Sequence, residues 1–183
     1  MVSSDDEPLI LVDAEDRQTG CLSKAACHDG DGILHRAFSI FLFADDGRLL
    51  LQKRAAGKRL WPGFWSNSCC SHPRDGETVE VAAGRRLEDE LHTGGELQFV
   101  YKFTYQAAFG EMGAEHELCH VFLGRLDGEP SANNTEIEEM RYVSAAGLER
   151  EFKEAADTFT PWFKLEWEHL QGEFGDVLAE YSG

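Results

Sequence analysis

The sequence predicts one domain of the α+β class with a mixed β-sheet. Strand-like and helix-like segments alternate, but without the regular strand–helix–strand repeat of parallel α/β folds. The 183 residues match the size of one domain with a sizeable core, and no internal repeat or linker rich in proline and glycine divides them. We therefore expect a single domain over residues 1–183, with residues 1–8 forming a disordered acidic tail.

Short apolar segments bounded by turn residues predict the strands. The first is residues 9–12, which a polar turn follows over residues 13–19. Residues 38–43 and 49–52 flank residues 45–48, whose Asp-Gly pair is typical of a β-hairpin turn. Three further strands are predicted over residues 99–109, 117–126 and 142–143.

The main predicted helix covers residues 77–91. This segment contains no proline and no β-branched residue after Val81, and its alanine, arginine and leucine residues favour a helix. Two more helices are predicted over residues 144–153 and 161–181.

The net charge of −17 limits the kind of partner. So acidic a surface favours solubility, as in halophilic cytosols, with a basic partner as the alternative, and it disfavours nucleic acid, which needs a basic face. No run of about 18 apolar residues indicates a membrane span, and the acidic start is unlike a signal peptide. We expect a cytoplasmic monomer that binds neither nucleic acid nor membrane. The odd number of cysteines in such a chain favours free thiols: Cys21, Cys27, Cys69, Cys70 and Cys119.

A polar, thiol-rich loop over residues 66–73 leads into the main predicted helix. Loop and helix together resemble the Nudix box, a module that holds a divalent cation against a diphosphate. The residues that fit its general pattern are Glu77, Arg85, Leu87, Asp89 and Glu90. Ser71, Arg86 and His92 depart from it, standing in place of glycine, glutamate and glycine. Fewer carboxylates remain for a catalytic metal cluster, so an ordinary Nudix hydrolase is disfavoured. Without the loop, Arg86 and Glu90 would be interpreted as a surface ion pair.

Five strings extend the comparison beyond the helix: residues 20–28 (GCLSKAACH), 34–39 (LHRAFS), 61–73 (WPGFWSNSCCSHP), 115–118 (EHEL) and 160–162 (TPW). With these strings in the family's order, and with departures that match this branch of the superfamily, the chain resembles the type I isopentenyl-diphosphate isomerases from about residue 12 to about residue 163. The resemblance implies a Nudix-type α/β/α sandwich around a mixed sheet. It also implies an enzyme of isoprenoid biosynthesis that interconverts isopentenyl and dimethylallyl diphosphates.

Three histidines and two glutamates are candidate metal ligands: His28, His35, His72, Glu115 and Glu117. Glu115 and Glu117 are two residues apart, so on a strand they face the same side. Nitrogen and oxygen donors suit Zn²⁺, Mn²⁺ or Mg²⁺. Spacing alone leaves each histidine as an ordinary polar residue, and it is the resemblance that implies their convergence on one metal. It further implies that Glu90 holds a second ion, Mg²⁺, together with the diphosphate.

Residues 53–59 contain four cations in an otherwise acidic chain. By themselves they would be interpreted as a solvated loop. A diphosphate, however, needs charge-assisted donors, and arginine is preferred for forked contacts. The resemblance implies that four cations contact the diphosphate: Lys24, Arg54, Lys58 and Arg86. Lys53 and Arg59 are expected to be solvated charges.

The isomerisation requires an acid–base pair in a dry site, because protonating an alkene develops a tertiary carbocation that water would trap. The resemblance implies that Cys70 and Glu117 lie on opposite faces of the substrate. It also places Tyr105 as a hydrogen-bond partner of the catalytic carboxylate and Trp162 as an aromatic face for the cation. Without the resemblance, Cys70 would be interpreted as a buried structural thiol.

Two other functions remain open from the sequence. One is a Nudix pyrophosphohydrolase acting on a nucleoside or sugar diphosphate, which needs a water nucleophile and more carboxylates. The other is a metal- or phosphate-sensing module in which the His/Glu shell is only structural. The Cys70 thiol discriminates among the three functions, because only the isomerase requires it.

Overall fold

The computed structural model describes residues 4–183, which form one nine-stranded sheet and five α-helices. The strands are β1 (Pro8–Val12), β2 (Gln18–Ser23), β3 (His35–Phe43), β4 (Leu49–Arg54), β5 (Trp65–Ser66), β6 (Cys69–Ser71), β7 (Leu97–Ala108), β8 (Ala114–Arg125) and β9 (Ile137–Val143). The helices are α1 (Lys24–Cys27), α2 (Val79–Leu91), α3 (Ala145–Glu154), α4 (Pro161–Glu173) and α5 (Gly175–Ser182), and a short 3₁₀ helix, Ala156–Thr158, follows α3.

Strand β3 lies at the centre of the sheet. It pairs in parallel with β8 along its whole length, beginning with His35 opposite Glu117. Its other edge pairs antiparallel with β6, where Ser39 lies opposite Cys70. The thiol-bearing strand and the strand that carries the candidate glutamates are therefore held on the two sides of one buried strand.

The alternation of side chains along β3 produces the layers of the fold. Phe38 and Ile40 belong to a buried cluster with α2, whereas Phe41 and Phe43 belong to a buried cluster with α4 and α5. The ring of Phe41 stacks on that of Trp167 in α4, with centroids 6.3 Å apart. Helices thus cover both faces of a mixed sheet in a single domain, and the predicted α+β class is confirmed.

Helix α2 agrees with the main predicted helix. The Thr78 hydroxyl accepts a hydrogen bond from the Val81 amide and caps the first turn. His92 ends the helix in a left-handed conformation, with φ of 47°. Arg86 and Glu90, four residues apart, are both on the buried side of the helix.

The hairpin predicted for residues 38–52 is present only at its turn, and the two strands do not pair beyond it. The Ala44 amide donates to the Arg48 carbonyl, and Gly47 adopts a φ of 77°, which favours glycine. Phe43 opposite Leu49 is the one register pair between β3 and β4. The strands part there because β6 and β8 occupy both edges of β3, while β4 pairs with β9 and β5.

Two other segments differ from the sequence-based expectation. The predicted helix over residues 161–181 is divided at Phe174, which leaves the helical conformation and stacks on Tyr101 with ring centroids 4.8 Å apart. The predicted polar turn over residues 13–19 is shorter, because β2 begins at Gln18 and pairs with β1.

The predicted disordered tail, residues 1–8, falls partly outside the described residues, which begin at residue 4. The carbonyls of Asp5 and Glu7 accept hydrogen bonds from the amides of Ala25 and Lys24 at 2.9 and 2.8 Å. Strand β1 then begins at Pro8. Residues 5–8 thus make backbone hydrogen bonds to α1 and to β2, and the disorder of residues 1–8 stays a prediction.

Over residues 4–183, no helix combines the length and the apolar character that crossing a lipid bilayer requires. All five cysteines are free thiols, as expected; Cys21 is exposed, and the others are buried or half-buried.

Candidate active site

One cavity of about 580 Å³ contains most of the predicted site residues. Its wall is formed by parts of α1, β6, α2, β7, β8 and α4 and by the loop after β4. The predicted residues that line it are Lys24, His28, Arg54, Lys58, Cys70, His72, Arg86, Tyr105, Glu115, Glu117 and Trp162. Two predicted residues, His35 and Glu90, are not part of the lining.

The five candidate metal ligands converge at this cavity. Each offers one donor atom, all these atoms lie within 4.8 Å of one another, and all five residues are buried. His28 Nε2 is 2.7 Å from a Glu115 oxygen, and His72 Nε2 is 2.9 Å from a Glu117 oxygen. His35, opposite Glu117 in the sheet, completes the cluster with Nε2 at 3.7 Å from the same Glu117 oxygen.

The donor set of this cluster fits a divalent cation. The Nδ1 atom of His35 lies 2.7 Å from the Ile33 carbonyl, which assigns the ring hydrogen to Nδ1 and leaves the Nε2 lone pair for a metal. Among the described residues, His35 Nε2 is buried without a hydrogen-bond partner, and His28 Nε2 and the Glu115 oxygen 2.7 Å from it are buried without the geometry of a hydrogen bond. Buried polar atoms are rarely left in this way unless an ion or water satisfies them.

Glu117 belongs to the candidate ligand cluster and also receives a hydrogen bond from the neighbouring strand. Tyr105, on β7, donates a hydrogen bond to its second carboxylate oxygen at 2.7 Å. Burial raises the pKa of Glu117, but the neighbouring His35 and the hydrogen bond from Tyr105 outweigh burial, so the pKa is lower than usual. The carboxylate is therefore available in its charged form.

Cys70, on β6, presents its thiol to the same cavity. Its Sγ donates to Asn67 Oδ1 at 2.8 Å and accepts a hydrogen bond from Ser39 Oγ at 3.5 Å. Burial raises the pKa of Cys70 to about 12. The thiol thus carries its hydrogen, and it lines the same cavity as the carboxylate of Glu117.

Trp162 and Arg54 form one wall of the cavity. Trp162, near the start of α4, donates from Nε1 to Ser66 Oγ at 3.1 Å. The guanidinium carbon of Arg54 lies 5.2 Å from the centre of its ring. Arg54 also donates to the carbonyls of Leu60 and Trp61, so it anchors the cationic loop to the wall. Contact of Trp162 or Arg54 with a substrate stays a prediction.

The cations gather around one carboxylate, Glu136. Lys58 forms an ion pair with Glu136, and an Arg86 nitrogen lies 3.4 Å from a Glu136 oxygen. Burial and the charges of Lys58 and Arg86 lower the pKa of Lys24 to about 8. This excess of positive charge favours an anion. Glu136 was not predicted as a site residue, because one more glutamate in so acidic a segment does not stand out in the sequence.

Glu90 and Arg59 make contacts that the sequence did not predict. The Glu90 carboxylate accepts a hydrogen bond from Arg86 Nε at 2.9 Å and lies outside the cavity lining. Arg59 is not a solvated charge, because it donates to the Ala25 carbonyl at 3.1 Å and to the Asp29 carboxylate at 2.6 Å. Lys53 pairs with Glu138 at 3.0 Å on the partly exposed side of β4.

The acidic residues that fit the Nudix pattern, in α2 and just before it, are paired with arginines. Glu77 accepts two hydrogen bonds from Arg85 at 2.8 Å, and Asp89 lies 3.5 Å from the same guanidinium. Arg86 and Glu90 form a pair that is 2% and 3% exposed, so it is not a surface pair. Among the described residues, the carboxylates that fit the Nudix pattern are therefore all paired with an arginine: Glu77, Asp89 and Glu90.

Known proteins match this chain in sequence and in fold. The NUDIX domain family matches residues 33–163. Isopentenyl-diphosphate Delta-isomerase 1 of Photorhabdus laumondii is 40% identical over 175 residues, which cover 94% of this chain and 99% of that protein. Isopentenyl-diphosphate Delta-isomerase of Serratia proteamaculans is 47% identical over 158 residues, which cover 86% of this chain and 88% of that protein.

Solved structures agree on the fold. A Deinococcus radiodurans protein superposes with a TM-score of 0.68 at 20% identity, covering 97% of this chain and all of that one. A MutT NUDIX hydrolase from Burkholderia pseudomallei gives 0.55 at 22% identity, covering 74% of this chain and 96% of that one. At 20% and 22% sequence identity, these structures show only a shared fold. The family assignment rests on the isomerase sequences, which are 40% and 47% identical to this chain. The chain belongs to the isopentenyl-diphosphate Delta-isomerases of the Nudix superfamily.

Proposed function

We propose that the protein interconverts isopentenyl and dimethylallyl diphosphates in isoprenoid biosynthesis. The observation that carries the proposal is one cavity that combines a thiol and a carboxylate with a cluster of cations. A substrate with a short hydrocarbon and a diphosphate needs both parts. The family to which the chain belongs supports the same reaction.

The reaction adds one proton to the terminal alkene carbon and removes one from the carbon nearer the diphosphate, so no proton is gained or lost overall. We assign these two transfers to Cys70 and Glu117, acting from opposite faces of the substrate. Glu117 is buried, Cys70 is half-buried, and both line one cavity; this supports the assignment, because the intermediate carbocation must be kept from water. Tyr105 orients Glu117 through its hydrogen bond, and Trp162 offers its ring to the positive charge.

A divalent cation would be held by His28, His35, His72, Glu115 and Glu117. When bound, Zn²⁺, Mn²⁺ or Mg²⁺ supplies positive charge beside Glu117 and tunes the acidity of that carboxylate. A second ion, Mg²⁺, is assigned to Glu90 together with the diphosphate. Glu90 offers the oxygen that Mg²⁺ prefers, but Arg86 already binds this carboxylate, so we assign no chemical step to that ion.

The diphosphate is assigned to Lys24, Arg54, Lys58 and Arg86. Their side chains line one cavity, and the lowered pKa of Lys24 reflects burial and the neighbouring positive charges there. Charge-assisted hydrogen bonds from these groups would fix the phosphate end and leave the hydrocarbon beside Cys70.

We further propose that the protein acts as a monomer in the cytoplasm. All the assigned residues come from one chain, and five free thiols suit a reducing compartment.

Incubation with isopentenyl diphosphate and Mg²⁺ in D₂O tests the reaction itself. We expect dimethylallyl diphosphate that carries deuterium in a methyl group, because the added proton comes from groups that exchange with solvent. Mass spectrometry of the product measures it. Product without deuterium would exclude the protonation mechanism, and release of a monophosphate without isomerisation would indicate a hydrolase.

Arg54→Ala tests the phosphate contact, with the adjacent Lys53→Ala as the matched control. Arg54 lines the cavity, whereas Lys53 pairs with Glu138 outside it. We expect Arg54→Ala to lower kcat/KM by roughly 10- to 100-fold, through loss of a charge-assisted contact, and Lys53→Ala to change it less than about twofold. Equal values for the two variants would remove Arg54 from the site.

A further inference from the structure

One carboxylate lies among the cations that are assigned to the diphosphate. Glu136, the residue before β9, is 3% exposed and lines the cavity. It forms an ion pair with Lys58, and the same carboxylate oxygen lies 3.4 Å from an Arg86 nitrogen. A diphosphate that enters the cavity therefore meets an anion beside the cations that should bind it.

This carboxylate is charged. Burial raises the pKa of Glu136, but the charge of Lys58 and its hydrogen bond outweigh burial, and the charges of Arg86 and Lys24 lower the pKa further. The three cations that act on Glu136 are three of the four that are assigned to the diphosphate. Arg86 also binds Glu90, at 2.9 Å, so the cation that depends most on Glu136 is Lys58.

Backbone hydrogen bonds hold Glu136 between the two segments that carry these cations. Its carbonyl accepts from the amide of Ala55, in the cationic loop, at 3.0 Å. Asn133, three residues earlier, donates from its amide to the Glu90 carbonyl at 2.8 Å and from Nδ2 to the Asp89 carbonyl at 3.0 Å, both in α2. The segment thus keeps the carboxylate beside the site, so its charge acts on any anion in the cavity.

Two anions would then compete for the same cations. Like charges a few ångströms apart repel strongly where water does not screen them. The phosphate end of the substrate takes no part in the bond changes, so tight binding of this end stabilises substrate, transition state and product equally. Such uniform binding lowers KM without raising kcat, and it slows release of the product. A fixed negative charge in the phosphate site would limit it.

We propose that Glu136 is the internal counter-anion of the phosphate site: it pairs with Lys58 in the free protein, releases Lys58 to the diphosphate, and limits the affinity for diphosphate so that the product can leave. Without this carboxylate the partly buried Lys58 would lack its carboxylate partner in the free protein, which is unfavourable. Glu136 thus acts on affinity and not on the proton transfers. This role rests on the proposed isomerase function.

Calorimetric titration with inorganic pyrophosphate tests the effect on affinity, after dialysis has removed free divalent cation. The matched control is Glu138→Gln, because Glu138 is two residues away and pairs with Lys53 outside the cavity. We expect Glu136→Gln to bind pyrophosphate roughly tenfold more tightly than the wild type, since a like charge is removed. Glu136→Asp, which keeps the charge, and Glu138→Gln should stay within about threefold of the wild type.

Weaker or unchanged binding by Glu136→Gln would overturn the proposal, as would a wild type that does not bind pyrophosphate. The titrations are repeated with Mg²⁺, where the order of affinities should be the same. If Glu136→Gln bound pyrophosphate more weakly than the wild type once Mg²⁺ was added, Glu136 would be a ligand of the ion and the proposal would be wrong.

Steady-state kinetics with isopentenyl diphosphate separate affinity from chemistry. In Glu136→Gln, KM should fall by about the same factor as the Kd of pyrophosphate, and kcat should not exceed that of the wild type. A lower kcat with an unchanged or raised KM would contradict the proposal. A wild type and variants that bind pyrophosphate as expected but form no dimethylallyl diphosphate would contradict the proposed function alone.

A crystal structure of the wild type with pyrophosphate tests the exchange of partners without any variant, and it decides the matter if thermal unfolding shows that Glu136→Gln does not fold. Lys58 Nζ should lie within hydrogen-bond distance of a phosphate oxygen and more than about 4 Å from the Glu136 carboxylate. A Lys58 that keeps its ion pair with Glu136 in this complex would overturn the exchange.

Discussion

Replacing Cys70 by alanine is expected to lower kcat for isomerisation by roughly 10³-fold, the range that a general acid or base contributes. Cys70 is the thiol of the cavity that contains Glu117, and its sulfur is already placed by Asn67 and Ser39. The change removes the proton carrier and leaves the phosphate-binding cations in place. KM should therefore change by less than about threefold. Steady-state kinetics at saturating substrate measure both constants.

Cys69→Ala is the matched control for this experiment. Cys69 is the neighbouring residue of β6 and is fully buried, but it packs in the cluster with α2 and is not part of the cavity lining. We expect it to lower the melting temperature and to leave kcat within about threefold, because it removes packing and no reacting group. If Cys70→Ala retained a kcat comparable to that of Cys69→Ala, the thiol would have no role in the chemistry.

The sequence was informative wherever local pattern or a long motif decides the structure. The short apolar segment 38–43 predicted a strand, which is the central part of β3, and the composition of residues 77–91 predicted α2. The isomerase strings placed His28, His72 and Glu115 in one site, although their spacing alone could not, and the structure brings their donor atoms together. In these places local preference and tertiary packing agree.

The remaining features depend on contacts between distant segments. The parallel pairing of β3 with β8 is determined by contacts between segments that are far apart in the sequence. The apolar pattern of β3 alone fits a hairpin with β4 equally well. Glu136 is one acidic residue in a chain that contains 34. Only its burial and its neighbours distinguish it from a surface charge, because it lies among cations. The contacts of Arg59 were likewise not predicted, because the carbonyl groups it binds belong to α1 and to the turn between β7 and β8.

Replacing Glu117 by glutamine is expected to lower kcat by roughly 10³-fold even when the divalent cation is saturating. Glu115→Gln, the matched control two residues away, removes a carboxylate of the same cluster on the same strand. Both variants should bind the cation more weakly in calorimetric titrations, because each loses a charged ligand.

The two carboxylates differ in the side chains around them, and this difference determines the outcome. Glu115 is paired with His28, whereas Glu117 also receives the Tyr105 hydrogen bond that would hold a base in position. Excess cation should therefore restore Glu115→Gln to within about tenfold of the wild type, since only metal affinity is lost. It should not restore Glu117→Gln, since an amide cannot accept the proton. Equal recovery of both variants would mean that Glu117 is a ligand and not a base, and the acid–base pair would then need another partner for Cys70.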